Sequence, residues 1–168
     1  TKPGDFITPF EYNKKMTYYK VEDKANRPDS LKATHILISY AQVNPGVSLT
    51  KEQAEAKADS ILNVVKRDTA VMTKLAVELS DDPSAQSNKG NLGWFLDGMM
   101  VPEFNEFVVD NKVGSVGVVE TTYGYHVVKV DDKTAAKPKI KLAEVTRAFV
   151  PSEETYKEHY VKMSSFAS

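Results

Sequence analysis

Val113 to Thr121 and Tyr125 to Val130 read as β-strands, and only Thr122 to Gly124 separates them. A link this short joins antiparallel neighbours, because a parallel pair needs a crossover of a dozen or more residues. The chain is thereby committed to an antiparallel sheet. A third strand is written in Leu31 to Tyr40, where L-K-A-T-H-I-L-I-S-Y has the β-branched and apolar density of a buried element. Two of these runs carry a histidine, His35 in one and His126 in the other. If those two strands are neighbours, the imidazoles face each other through the middle of one sheet.

Between the strands the pattern turns helical. Thr50 opens T-K-E-Q, a capping box in which the hydroxyl accepts from the Gln53 amide and the Gln53 side chain reaches back. A helix follows to about Lys66, with Ala54, Ala58, Ile61, Leu62 and Val65 at helical spacing. A shorter one, about Ala70 to Leu79, sets Met72, Leu75, Ala76 and Leu79 on one face and ends in the turn-rich run Ser80-Asp81-Asp82-Pro83-Ser84. Leu92 to Phe104, L-G-W-F-L-D-G-M-M-V-P-E-F, predicts a short strand, a tight loop and a helix to about Val109. Gly93 and Gly98 permit the turn, Pro102 suits a first helical turn, and Leu92, Met100 and Phe104 offer three apolar surfaces of different shape. Such a corner serves either as ordinary core or as a pocket wall.

The flanks differ in character. Phe6 to Glu22 predicts an aromatic hairpin, with strands at Phe10 to Tyr12 and Met16 to Val21 and a turn at Asn13-Lys14, too small to bury its own face. Glu22 to Ser30 and Thr134 to Lys139 read as linkers, and Lys139 to Val150 as an extended segment. Pro151-Ser152-Glu153-Glu154 starts a helix capped by Ser152, which Tyr156, Tyr160 and Met163 continue with no stop signal before Ser168. With no initiator Met before Thr1, the chain reads as a segment cut from a longer polypeptide, divided at 1–30, 31–133 and 134–168.

Charge excludes several classes of function. Lys and Arg number 22 against 23 Asp and Glu, so no global field draws the chain to nucleic acid or an anionic membrane. No run has the length of a membrane span, and no signal-peptide pattern is present. The absence of cysteine removes disulfides, thiolate nucleophiles and Cys-type zinc sites.

A buried neutral imidazole must donate from one nitrogen and accept at the other, so each histidine needs a partner. Asp82 and Thr121, at the mouths of adjoining loops, are the candidates. The same residues would also satisfy a purely structural polar pair inside a sheet. Two His and a carboxylate form a recognised metal set, but no pair has the short spacing of H-x-x-x-H, and no metal is expected. No G-x-S-x-G elbow exists for a serine hydrolase, and His159 lies among charged residues as a solvated side chain.

Five motifs then agree in order and spacing: T-H-I-L-I at Thr34 to Ile38, S-D-D-P-S-A at Ser80 to Ala85, G-N-L-G-W-F at Gly90 to Phe95, G-M-M-V-P-E-F at Gly98 to Phe104 and T-T-Y-G-Y-H-V-V-K-V at Thr121 to Val130. Together they resemble the parvulin-type peptidyl-prolyl cis/trans isomerases over about Leu31 to Asp132. The flanks, R-P-D-S-L-K before the domain and I-K-L-A-E-V-T-R with P-S-E-E-T-Y after it, resemble bacterial envelope foldases of the SurA/PpiD type, in particular Bacteroidetes-like forms.

The resemblance implies an α+β fold, a four-stranded antiparallel sheet surrounded by about four helices, with extra flanking strands and a C-terminal helix from a chaperone body. It implies a prolyl-ring pocket of Leu92, Met100 and Phe104, edged by Tyr123, and a catalytic polar network of His35, Asp82, Thr121 and His126. Asp82 stands where some parvulins have cysteine, so a covalent route is closed. Asn91 replaces an aspartate common in G-D-L-G, and Tyr123 a phenylalanine or small polar residue. The loop Ser39 to Thr50 lacks the basic cluster of phosphate-directed parvulins.

The implied activity is prolyl isomerisation of unfolded or partly folded polypeptides containing Xaa-Pro bonds, in the periplasm or cell envelope, with no cofactor, nucleic acid or membrane contact. The alternative is a catalytically weak parvulin-shaped module that binds extended client segments through its groove and through Tyr18, Tyr19 and Trp94.

Overall fold

The computed structural model describes residues 2–12, 15–148, 152–155 and 157. They fall into two compact units, one drawn from Thr1–Ala25 and Pro138–Ser168, the other formed by Asn26–Lys137.

The first unit is a three-stranded sheet. β1 (Phe6–Tyr12) pairs antiparallel with β2 (Lys15–Arg27), as the predicted hairpin requires, and β7 (Lys137–Ala148) lies on the other side of β2. Asn13 and Lys14, the expected turn, lie outside the described residues. β2 continues to Arg27 through most of the expected linker, which shrinks to Pro28 and Asp29. The reason is tertiary: pairing with β7 supplies ladder hydrogen bonds that polar residues do not favour on their own, until Pro28, which has no N–H to give, ends the strand. Near the other terminus the Ser152 hydroxyl accepts from the Thr155 amide at 3.1 Å, the cap its sequence predicts. Tyr156, Tyr160, Met163 and His159 lie outside the described residues.

The Asn26–Lys137 unit is the α+β body. Its sheet has the order β4-β3-β6-β5, built from β3 (Ser30–Ile38), β4 (Asn91–Leu96), β5 (Val116–Thr121) and β6 (Gly124–Lys133), with every neighbouring pair antiparallel. Around it lie α1 (Lys51–Arg67), a 3-10 turn Thr69–Val71 leading into α2 (Met72–Leu79), the four-residue α3 (Ala85–Asn88) and α4 (Pro102–Asp110). The capping box forms as written: Gln53 N donates to Thr50 Oγ1, and Thr50 N to Gln53 Oε1 at 2.9 Å. The sequence does not predict α3, because one turn of Ala-Gln-Ser-Asn carries no periodic signal.

Strand alternation divides the buried residues between two faces. Ile36, Ile38, Tyr125 and Val127 turn toward Ala54, Ala58, Ile61 and Val65 of α1 and Met72 and Ala76 of α2. Ala33, Val119, Val128 and Val130 turn the other way and pack with Phe104 and Val108 of α4. Each fully buried Val or Ile stabilises the unit by about 1.5–3 kcal/mol. His35 and His126 project from the α4 face.

Candidate active site

The site grows from the register of three strands. His126 lies opposite Leu37 on β3 and Val119 on β5, while His35 lies opposite Val128, so the two histidines are diagonal neighbours on one face. Thr121 continues the same diagonal on β5. Side chains follow the line: Thr121 Oγ1 is 2.8 Å from His126 Nε2, and His126 Nδ1 is 3.0 Å from His35 Nδ1. The rings stack at 15° with centroids 5.3 Å apart, and both residues are 6% exposed.

Asp82 completes the line from outside the sheet, 2.9 Å from His35 Nε2 through Oδ2. Its loop is held by an edge that β4 leaves open, because β4 pairs with β3 only between Ser30 and Thr34. Beyond that point other groups take over the β3 edge. His35 N donates to Gly90 O at 2.9 Å, Leu37 N to Ser80 Oγ at 3.0 Å, Asp81 N to Leu37 O at 2.8 Å and Ser39 N to Asp81 Oδ2 at 2.8 Å. Ser80 Oγ also accepts from Asp82 N, and Asp82 Oδ1 accepts from Ser84 N at 2.9 Å. Ser39, Ser80, Asp81 and Gly90 therefore position the acid, and none stood out as a site residue in the sequence. The structure requires glycine at Gly90: a Cβ there would lie 2.4 Å from the His35 carbonyl oxygen.

Electrostatics decide where the protons sit. Burial pushes His126 down to about 4, helped by its neighbour His35 and opposed by Asp82. Burial likewise lowers His35 against the opposing pull of Asp82. Burial would raise Asp82, but hydrogen bonds from Ser84 and His35 outweigh it and hold the carboxyl below its ordinary value. At neutral pH the acid is ionised and both imidazoles are neutral.

A carboxylate can only accept, so His35 carries its proton on Nε2 and presents a lone pair at Nδ1. His126 must then donate from Nδ1, which leaves Nε2 to accept from the Thr121 hydroxyl. Thr121 Oγ1 in turn accepts from Tyr123 N at 3.1 Å. The result is one directed chain of hydrogen bonds, Thr121 to His126 to His35 to Asp82. Among the described residues no buried side-chain polar atom lacks a partner.

The apolar trio also comes together. Leu92 of β4 and Met100 of the turn before α4 are half-buried and pack on the cluster that contains Phe104. Phe104 stands edge-on to both imidazoles, 5.8 Å and 89° from His35 and 5.6 Å and 78° from His126. Pro102 opens α4 as predicted, which carries Phe104 inward. Tyr123 sits on the β5–β6 turn next to Thr121, with its carbonyl accepting from Ser39 Oγ at 3.0 Å and the residue 60% exposed. Among the described residues no group of three or more His, Asp or Glu is gathered as a metal site would require.

An antiparallel sheet whose buried histidine pair abuts an apolar trio defines a parvulin-type domain. Residues 16–134 match the PPIC-type PPIase domain, and the chain belongs to that family. Foldase protein PrsA of Geobacillus kaustophilus is 39% identical over 113 residues, covering 67% of this chain and 35% of that protein. Chaperone SurA of Alcanivorax borkumensis is 29% identical over 132 residues, covering 78% of this chain and 30% of that one. The crystal structure of peptidylprolyl isomerase PrsA from Bacillus anthracis matches with a TM-score of 0.53 at 29% identity, over 66% of this chain and 45% of that. The chain spans about a third of the length of these curated relatives.

Proposed function

We propose that the Asn26–Lys137 unit is a peptidyl-prolyl cis/trans isomerase that works without a covalent intermediate. The observation that carries this reading is Phe104, buried in the Leu92 and Met100 cluster and edge-on to both histidines. Rotation about an Xaa-Pro bond breaks no covalent bond, and its barrier of about 20 kcal/mol comes from amide resonance. A pocket that takes the prolyl ring against Leu92, Met100 and Phe104 and strips water from the planar amide favours the less polar twisted state. Each ~1.4 kcal/mol gained there speeds exchange tenfold.

Asp82 has no part as a nucleophile, since one oxygen accepts from His35 and the other from Ser84. Its role, with Thr121, is to set the tautomers of His35 and His126, so that a neutral, fully bonded pair floors the pocket. Tyr123 edges the groove.

Likeness to proteins named foldase and chaperone supports unfolded or partly folded polypeptides as substrates and an extracytoplasmic, periplasmic or envelope, setting. The flank motifs support a foldase of the SurA/PpiD kind, with the residues outside the Asn26–Lys137 unit belonging to its chaperone body. Ser39 to Thr50 holds no Lys or Arg, so phosphorylation before proline brings no advantage. A phosphopeptide turned over far faster than its plain form would refute that point.

Exchange NMR on a short Ala-Pro peptide tests the main reading. The wild-type chain accelerates cis/trans exchange, and Leu92→Ala/Met100→Ala abolishes the effect. A wild-type chain that shifts peptide resonances without accelerating exchange would make this a binding module instead. The exposed side chains of Trp94, Leu96 and Met99 favour that second role.

A further inference from the structure

The turn from Asp97 to Val101, which carries Met100 into the pocket wall, is anchored from outside the five motifs that mark the family. Its anchor is Arg27, the last residue of β2. Arg27 Nε and Nη2 donate to the two oxygens of Asp97 at 2.9 and 2.8 Å, and Nη1 and Nη2 donate to the two oxygens of Glu106 at 2.7 and 2.8 Å. One guanidinium thus grips the start of the turn and the second turn of α4 in a double fork, a geometry open to arginine but not to lysine.

Asn105 closes the frame. Only 2% exposed, it donates from Nδ2 to Asp97 Oδ1 at 2.9 Å and accepts through Oδ1 from Gly98 N at 2.8 Å. It is the chain neighbour of Phe104. The helix has no side-chain cap at Val101, so this frame supplies the fixation that a cap would give elsewhere. Met100 and Phe104, two of the three pocket residues, lie inside the span that Arg27 and Asn105 hold.

We propose that Arg27 is a positioning residue for the prolyl-ring pocket, acting through Asp97, Asn105 and Glu106 on the placement of Met100 and Phe104. The inference rests on the reading of Leu92, Met100 and Phe104 as that pocket. Loss of Arg27 leaves the directed chain at His35 and His126 intact while the apolar wall loosens. Weaker hold on the prolyl ring in ground state and transition state alike raises KM and leaves kcat nearly unchanged.

The test compares the full chain with its Arg27→Ala and Arg27→Lys variants, labelled at methionine methyl groups. In Arg27→Ala the Val127 and Val128 amide signals stay at their wild-type positions, the Met100 methyl shifts and broadens, and KM for an Ala-Pro peptide rises about tenfold with kcat within twofold. Arg27→Lys keeps the charge but not the double fork, and it fails to restore the Met100 signal or KM. A folded Arg27→Ala chain with an unchanged Met100 methyl and unchanged KM overturns the proposal, as does full rescue by lysine.

Should Arg27→Ala not fold, Glu106→Gln, at a half-exposed position, breaks one fork and is judged by the same Met100 and KM criteria. If the wild-type chain fails to accelerate exchange, the isomerase reading falls. The Met100 methyl in the variant then decides the positioning role by itself.

Discussion

Lowering the pH from 7 to 5 protonates the histidines of the unfolded chain, while the folded pair resists and most carboxylates stay ionised. In the unfolded chain His126 titrates near 6.5, whereas in the folded protein burial holds it near 4. Between those values the unfolded state binds a proton that the folded state refuses, so stability falls as pH falls. The full window corresponds to about 3 kcal/mol from His126, of which about 2 kcal/mol is lost by pH 5. His35 is shifted in the same direction and adds to the loss.

Asp82 works in a lower window. Its contribution is present above the ordinary carboxylate value of 3.8 and disappears only as pH drops through its depressed folded value. Urea unfolding at pH 7, 6 and 5, followed through the Val127 and Val128 amides, measures the slope. Ring-carbon NMR of His126 in folded protein measures its titration directly. Equal stability at pH 7 and 5, or a folded His126 that titrates near 6.5, would refute the reasoning.

Four further outcomes follow from the same geometry. Asp82→Asn can donate to His35 Nε2 and so reverses the chain, moving the His126 proton from Nδ1 to Nε2 as read by its ring 15N shifts. Asp82→Ala instead leaves a buried N–H without an acceptor and costs about 1–3 kcal/mol in urea unfolding. Gly90→Ala would force a Cβ to 2.4 Å from His35 O at φ +76°, destabilising the unit by about 2 kcal/mol or more and shifting the His35 ring signals. Lys133→Ala removes the ammonium that donates to Val109 O at 2.8 Å and Asn111 O at 2.6 Å, costing about 1 kcal/mol in urea unfolding and leaving kcat unchanged.

What could be read beforehand followed short-range rules. The Thr50 capping box, the hairpin at Thr122 to Gly124 and Pro102 at the start of α4 are local signals, and each appears where it was expected. The pairing of His35 with His126 was legible because both sit in apolar strands that need a buried partner. β2 runs past the predicted end at Val21 to Arg27, because its polar residues are held by pairing with β7, far away in sequence. Arg27 was hidden for the same reason. A single arginine before Pro28 gives no hint of carboxylates at Asp97 and Glu106, which only the closed fold brings within reach. Ser80 and Asp81 are hard to read because their side-chain oxygens accept from the backbone amides of Leu37 and Ser39, and an amide partner leaves no mark on residue type.

The division of labour inside the network also explains why the site is built in a sheet. Three of its members, Thr121, His126 and His35, are placed by strand register alone, since a one-residue slip of any strand would turn its side chain to the α1 face. The fourth, Asp82, comes from a loop and sets the direction in which the protons point. Placement and polarity are therefore controlled by different parts of the chain. A change at position 82 can reverse the chain of hydrogen bonds without moving either ring, whereas a change that shifts β6 against β3 or β5 would dismantle both. Phe104 reads the outcome: its ring meets two imidazole rings whose neutrality and spacing the sheet and the loop have set together. In the proposed reaction, the floor of the pocket keeps its low polarity only while that chain remains complete.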